Sequence, residues 1–136
     1  MRPIEELLST AAEARAKAYA PYSGYAVGVA LESAAGRIFT GCNVENVSYP
    51  VTICAERTAI VKMISEGDRV IAQLALVTQD GGLPCGMCLQ AMREFTQDPS
   101  ALQVHVGDSN GYRFTKTLAE LLPYAFQSSD VNRTER

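Results

Sequence analysis

Three cysteines and one glutamate constrain this chain more than any other feature of its sequence. Cys54 and Glu56 lie in Thr-Ile-Cys-Ala-Glu-Arg, and Cys85 and Cys88 follow about thirty residues later in Pro-Cys-Gly-Met-Cys. Zinc prefers four tetrahedral ligands, and a zinc ion with three protein ligands keeps its fourth position for water. Bound zinc lowers the pKa of that water towards about 7. The pattern therefore predicts a hydrolytic zinc site in which Glu56 carries protons rather than binding the metal.

The spacing of the cysteines predicts that they lie at the starts of two helices. Cys85 and Cys88 are three residues apart, so on a helix they share one face and can bind one ion. Pro84 precedes them, at a position where helices begin. Cys54 likewise opens an apolar run with helical period. At a helix N-terminus the backbone dipole favours thiolate, the form of cysteine that binds metal.

A structural zinc site with four thiolates is an open alternative, and it would make the chain a zinc-stabilised structural or binding module. Cys42 would then be the fourth ligand. However, Cys42 ends a predicted strand instead of belonging to a second Cys-x-x-Cys pair, and buried free cysteines often act as small hydrophobes. A closed site also leaves Glu56 without a role. A redox function for Cys85 and Cys88 is a weaker alternative, because it would need no third thiol and would leave Cys54 and Glu56 without a role.

Two further side chains have both a structural and a functional interpretation. Arg57 is either a surface charge or a partner of the metal site, where a cation would offset the negative charge of three thiolates and increase the Lewis acidity of zinc. His105 alternates with Val104 and Val106 in a predicted strand. We therefore expect His105 to be structural or exposed rather than catalytic.

Composition limits the possible partners and location of the chain. The 136 residues are 47% hydrophobic, which is ordinary for a single soluble domain. A net charge of −3 without a cluster of basic residues argues against nucleic acid and membrane surfaces as partners. Four cysteines without a secretory signal indicate a reducing compartment, so we expect a cytoplasmic protein.

The hydrophobic pattern predicts an α/β fold with the element order α-β-β-α-β-α-β-β-α. The predicted segments are helices at 3–19, 53–66 and 86–95, strands at 25–31, 37–43, 70–78, 103–106 and 112–115, and a short last helix with a capping box at Thr117 and Glu120. Alternation of strands and helices favours parallel pairing with helices on both faces. We predict a three-layer α/β/α sandwich around a mixed five-stranded sheet, with one catalytic domain over 1–126 and a polar, frayed tail over 127–136.

Longer motifs resemble the cytidine deaminases, specifically their short homotetrameric form with a three-cysteine zinc site. Cys-Ala-Glu followed by Pro-Cys-x-x-Cys is typical of zinc deaminases in general. The more specific motif is Asn-Val-Glu-Asn at 43–46. The resemblance covers nearly the whole chain and rests on residues 22–28, 41–50, 52–60, 84–90 and 121–126.

The resemblance implies a hydrolase that deaminates cytidine and deoxycytidine to uridine and deoxyuridine in pyrimidine salvage. A deaminase of another amino-heterocycle is the alternative within this class. One zinc ion per subunit is implied, with a nucleoside substrate and a homotetramer. The implied roles are zinc binding by Cys54, Cys85 and Cys88, proton transfer by Glu56, hydrogen bonding to the sulfurs by Arg57, ribose binding by Asn43 and Glu45, base binding by Tyr25 and the Ala55 backbone, and completion of a neighbouring subunit's pocket by Phe126.

Two positions depart from the family pattern. Tyr25 stands where the family usually has phenylalanine, an exchange that retains the ring and adds a hydroxyl. Leu89 stands where the family usually has arginine, so a positive charge near the zinc is missing.

Overall fold

A mixed five-stranded sheet forms the centre of the protein. The computed structural model describes residues 1–131 of the chain. The strands, in the spatial order β2-β1-β3-β4-β5, are β1 Gly28–Ser33, β2 Ile38–Cys42, β3 Ile71–Val77, β4 Gln103–Asp108 and β5 Gly111–Thr117. The β3–β4 pair is parallel and the other three pairs are antiparallel. This arrangement confirms the predicted mixed sheet, in which β1 and β2 form an antiparallel hairpin.

Helices cover both faces of the sheet, as the sequence predicted. They are α1 Ile4–Arg15, α2 Ala55–Ser65, α3 Gly86–Glu94, α4 Leu118–Leu121 and α5 Ser128–Val131, with a 3₁₀ turn at Tyr49–Val51. The apolar side of α1 packs on one face of β1 and β3. The helices α2 and α3 contribute to the larger core on the other face. Because both faces are covered, β3 is almost continuously apolar and buried.

A glycine near the end of the edge strand β2 lets α2 lie close to the sheet. A side chain at Gly41 would collide with the carbonyl oxygen of Ala55, in the first turn of α2. The amide nitrogen of Ala59 is also within contact distance of that position. Close packing of α2 on β2 therefore fixes where the N-terminus of the helix lies.

Two element boundaries differ from the sequence prediction, and tertiary hydrogen bonds explain both. The helix α1 ends at Arg15 rather than near 19, because Tyr19 forms a bridge in which it bonds to the backbone of Asn43 and Glu45. The strand β1 begins at Gly28 rather than at 25. The preceding N–H group, that of Val27, donates to the side chain of Asn43 instead of extending a strand ladder.

The C-terminal part contains the predicted capping box. The Thr117 hydroxyl accepts from the Glu120 N–H, and the Glu120 carboxylate accepts from the Thr117 N–H. The segment expected to be frayed includes the short helix α5, and residues 132–136 lie outside the described part of the chain. Within the described residues, no helix is long and apolar enough to span a bilayer.

Candidate active site

The N-termini of α2 and α3 bring three cysteines together. Cys54 is the N-cap of α2, Cys85 is the N-cap of α3, and Cys88 lies in the first turn of α3. Their Sγ atoms all lie within 4.8 Å of one another, and those of Cys85 and Cys88 are 3.6 Å apart. Tetrahedral zinc with bonds of about 2.3 Å would separate its sulfur ligands by about 3.8 Å. The three sulfurs therefore match a zinc site.

The protonation of the sulfurs also fits a bound cation. A hydrogen bond from the Cys88 thiol and the nearby Arg57 guanidinium together lower the pKa of Cys54 to about 5. The interaction with the Cys54 sulfur and burial both raise the pKa of Cys88. The crowding of the two sulfurs therefore favours a proton on Cys88. A divalent cation would replace it, because thiolate is the form that binds metal.

Cys42 does not belong to this cluster. It lies at the end of β2, and its Sγ atom donates to the carbonyl oxygen of Lys17 at 3.6 Å. A cluster of three sulfurs, not four, is found among residues 1–131. The predicted alternative of a closed four-thiolate site is therefore not supported.

The Glu56 carboxyl group lies beside the cysteines and is shielded from solvent. Glu56 is in the first turn of α2 and is 4% exposed. Burial raises the pKa of the Glu56 carboxyl to about 7, and the charge of the Cys54 thiolate adds to this effect. A buried carboxyl group at this position can both accept and donate a proton near neutral pH.

Arg57 faces the same sulfurs from α2. Its Nη2 atom donates to Cys54 Sγ at 3.8 Å and to the carbonyl oxygen of Thr52 at 3.3 Å. Its Nε atom is buried without a hydrogen-bond partner in residues 1–131. Leu89, where the family pattern has arginine, is 7% exposed and packs in the core with α2 and α3. The charge beside the sulfurs is therefore supplied from α2.

A cavity of about 300 Å³ opens from the sulfurs and Glu56 to the surface. Four of the residues for which the resemblance implied substrate binding line it, namely Tyr25, Asn43, Glu45 and Ala55. Its described wall contains two carboxyl side chains, Glu45 and Glu56, and no lysine or arginine. The cavity is therefore suited to a small neutral molecule.

The two polar residues expected to bind ribose also organise the cavity wall. The Asn43 amide donates to the carbonyl oxygen of Tyr25 at 2.8 Å and accepts from the N–H of Val27 at 2.9 Å. The Glu45 carboxylate accepts from the N–H groups of Tyr22 and Ser23 at 2.9 and 3.1 Å, and from the Ser23 hydroxyl. Both residues hold the segment that leads into β1.

Phe126 lies away from this cavity. Its side chain is 60% exposed, and its carbonyl oxygen accepts from the Gln90 amide at 2.6 Å. The neighbouring Tyr124 is 96% exposed. Phe126 is therefore not part of the hydrophobic core of its own chain.

One residue at the cavity was not identified from the sequence. Asp80, in the loop between β3 and α3, accepts from the Tyr25 hydroxyl at 2.7 Å. In the sequence, residues 80–82 fall between a predicted strand and a predicted helix, and no role was assigned to them. The added hydroxyl of Tyr25 was the available signal, since a tyrosine in place of phenylalanine calls for a polar partner.

Fold and site together define a zinc-dependent deaminase. The chain matches the family model for the cytidine and deoxycytidylate deaminase zinc-binding region over residues 1–102. It is 43% identical over 128 residues to a cytidine deaminase of Halalkalibacterium halodurans, covering 93% of this chain and 96% of that one. It is 40% identical over 131 residues to a cytidine deaminase of Sporosarcina psychrophila, covering 95% of each.

Among solved structures, the cytidine deaminase of Burkholderia pseudomallei superposes with a TM-score of 0.84 and 40% identity. That match covers 92% of this chain and all of the other. The chain therefore belongs to the cytidine deaminase family, with zinc as its cofactor. The predicted family, fold and metal are confirmed.

Proposed function

We propose that this protein hydrolyses cytidine and deoxycytidine to uridine and deoxyuridine with release of ammonia, as a step of pyrimidine salvage. The observation that carries the proposal is the buried Glu56 carboxyl beside three clustered sulfurs at the base of a small cavity. A proton carrier and a metal site at one point are what hydrolytic deamination requires.

The proposed mechanism assigns one role to each residue at the sulfurs. Cys54, Cys85 and Cys88 hold the metal, which when bound supplies a water activated for attack at neutral pH. Glu56 takes one proton from the attacking water and delivers it to ring N3 as the oxygen adds to C4. Glu56 then moves the remaining hydroxyl proton to the amino group, which leaves as ammonia. Arg57 offsets the charge of the sulfurs.

The cavity wall supports a nucleoside as substrate. Glu45 and Asn43 present polar atoms that we assign to binding of the ribose 3′-hydroxyl. We assign the Ala55 backbone and the Tyr25 ring to binding of the base. A contact at the 3′-hydroxyl is compatible with both cytidine and deoxycytidine. A phosphate group would approach two carboxylates and no lining cation in the described wall, so nucleotides should bind poorly.

The exposed aromatic end of the chain supports an assembly with shared sites. Tyr124 and Phe126 expose large apolar groups directly after α4. Exposed apolar clusters usually mark an interface. We propose a homotetramer in which Phe126 of one subunit closes the cavity of another. We further propose that residues 1–126 form the catalytic domain and that the protein is cytoplasmic.

Loss of cytidine absorbance in the presence of purified zinc-loaded protein tests the proposed activity, with ammonia release measured in parallel. Glu56→Gln is the matched control, since it keeps the shape of the side chain. Turnover of cytidine by the parent but not by the control supports the proposal. Turnover of another amino-heterocycle alone would indicate a different substrate, and no turnover with full zinc would indicate a structural module.

A further inference from the structure

We infer that Asp80 is a positioning residue that fixes the Tyr25 ring at the cavity wall and thereby sets the affinity for the base. The inference rests on the proposed function, since it assigns the Tyr25 ring to the pyrimidine. It starts from the hydrogen bond between the Tyr25 hydroxyl and Asp80 Oδ1, at 2.7 Å. These residues are 55 positions apart in the chain, so the bond joins two separate segments of the wall.

The carboxylate is a suitable anchor because its own loop is held in place. The Thr78 hydroxyl donates to Asp80 Oδ1 at 3.4 Å and accepts from the N–H of Gly82 at 2.8 Å. The Arg113 guanidinium donates to the carbonyl oxygen of Asp80 at 3.1 Å and to the Asp108 carboxylate at 3.2 Å. The loop is thus tied to β3 and, through Arg113, to β5.

The backbone of the same loop is shaped to receive the tyrosine. A side chain at Gly82 would collide with the Tyr25 hydroxyl, so glycine is needed for the ring to reach the carboxylate. Gly81 has φ +75° and lies against the Arg113 side chain. Glycine suits both positions, because it adopts the left-handed backbone at Gly81 and leaves room for the Tyr25 hydroxyl at Gly82.

Hydrogen bonds hold the backbone of the segment that carries Tyr25, whereas the orientation of the Tyr25 ring depends on Asp80. The Glu45 carboxylate holds the N–H groups of Tyr22 and Ser23, and the Asn43 amide holds the Tyr25 carbonyl. These bonds fix the chain and leave the ring, which is 36% exposed, free to rotate towards solvent. A hydrogen bond to a carboxylate is stronger than one between neutral groups. It therefore selects one orientation of the ring.

The hydrogen bond from the Tyr25 hydroxyl also keeps the acceptor charged. That bond holds the pKa of the Asp80 carboxyl below its usual range. The anchor is therefore ionised at neutral pH, and it is distinct from Glu56, the buried carboxyl group that lines the cavity beside the cysteines.

Kinetics of four zinc-loaded variants test the inference: Tyr25→Phe, Asp80→Ala, Asp80→Asn, and the double variant Tyr25→Phe/Asp80→Ala. We expect KM for cytidine to rise about 3- to 10-fold in Tyr25→Phe and in Asp80→Ala, while kcat changes little. Asp80→Asn keeps an acceptor oxygen and should recover part of the loss. The KM of the double variant should be no higher than that of the more impaired single variant, because both substitutions remove the same hydrogen bond.

An unchanged KM in both single variants, or additive effects in the double variant, would overturn the inference while leaving the proposed function intact if the parent still turns over cytidine. A readout independent of turnover is the position of the ring in crystal structures of the parent and of Asp80→Ala. A displaced or disordered Tyr25 ring in Asp80→Ala supports the role of the carboxylate. A ring that keeps its place without the carboxylate contradicts it, whatever the substrate is.

Discussion

Arg57 donates from Nη2 to the Sγ atom of Cys54, so a cation from the first turn of α2 contacts the thiolate at the N-cap of the same helix. The two residues are three positions apart, which places them on one side of the helix. Since Leu89 supplies no charge, Arg57 is the cation that hydrogen-bonds this cluster within residues 1–131. The charge balance of the metal site then depends on one side chain.

Replacing Arg57 by alanine should weaken zinc binding or activity. Partners that hydrogen-bond to ligands typically change metal affinity or activity by about 10- to 100-fold, and we expect an effect of this size. Competition with a chelator and kcat/KM with cytidine measure it. Arg57→Lys, which keeps the charge without the fork of donors, is the matched variant and should lie between parent and alanine. An alanine variant as active and as resistant to chelator as the parent would refute the charge argument.

Replacing Glu56 by glutamine should leave folding and zinc content unchanged and nearly abolish turnover. General acid–base groups contribute about 10²–10⁴ in rate, and the proposed mechanism gives Glu56 more than one proton transfer, so the loss should reach the upper end of this range or exceed it. Metal analysis, circular dichroism and kcat measure the three properties. Near-normal turnover would remove Glu56 from the mechanism.

Replacing Cys42 by serine should leave one zinc ion per chain and full activity. Cys42 bonds to the Lys17 carbonyl oxygen and lies outside the sulfur cluster. Cys85→Ser is the matched variant and should lose metal and turnover, because it removes one of the three sulfurs. Stoichiometric loss of zinc from Cys42→Ser would instead revive the four-thiolate site.

The unfolding free energy should decrease as the pH falls below about 6.5, and His105 should account for part of the decrease. Burial lowers the pKa of His105, which is 0% exposed and lies between Thr115 Oγ1 at 2.8 Å and Gln73 Oε1 at 2.9 Å. Gln73 donates in turn to Glu32, so its oxygen faces the imidazole and accepts from Nε2. Because burial lowers the pKa of His105, the neutral imidazole is the favoured form in the folded protein.

The sign follows from proton uptake by the unfolded chain. Below about pH 6.5 the histidine of the unfolded chain binds a proton, whereas the buried histidine of the folded chain does not. The contribution of His105 to the unfolding free energy is therefore complete above this pH and is lost as the pH falls towards the pKa of the folded state. Denaturant titrations of the parent and of His105→Gln at several pH values measure it. The difference between the two should shrink as the pH falls. A difference that is constant with pH would mean that His105 titrates alike in both states.

Two inactive variants should restore activity when their subunits mix in one assembly. Glu56→Gln retains Phe126, and Phe126→Ala retains Glu56, so a shared site can combine an intact residue from each parent. Activity after subunit exchange, with mixed assemblies verified by mass, measures the recovery. The unmixed variants are the controls. Absence of recovery in verified mixed tetramers would mean that Phe126 acts only within its own subunit.

The sequence by itself predicted the three-cysteine cluster that the structure contains, a glutamate next to it and the order of elements. Cys85 and Cys88 are local to one helix, and Cys54 and Glu56 to another, so short-range spacing was enough to place each pair at a helix N-terminus. The continuous apolar run of β3 and the capping box at Thr117 are local in the same sense. The distribution of helices on both faces followed from the alternation of strands and helices.

Only the tertiary structure decided contacts between distant segments. The end of α1 depends on the bridge between Tyr19 and Val44, and the start of β1 on the Asn43 side chain, neither of which has a local signal. The bond between Tyr25 and Asp80 depends on how two loops meet above the sheet. Periodicity reports which face of an element is buried. It carries no information on which side chain lies opposite, because that depends on the packing of elements far apart in the chain.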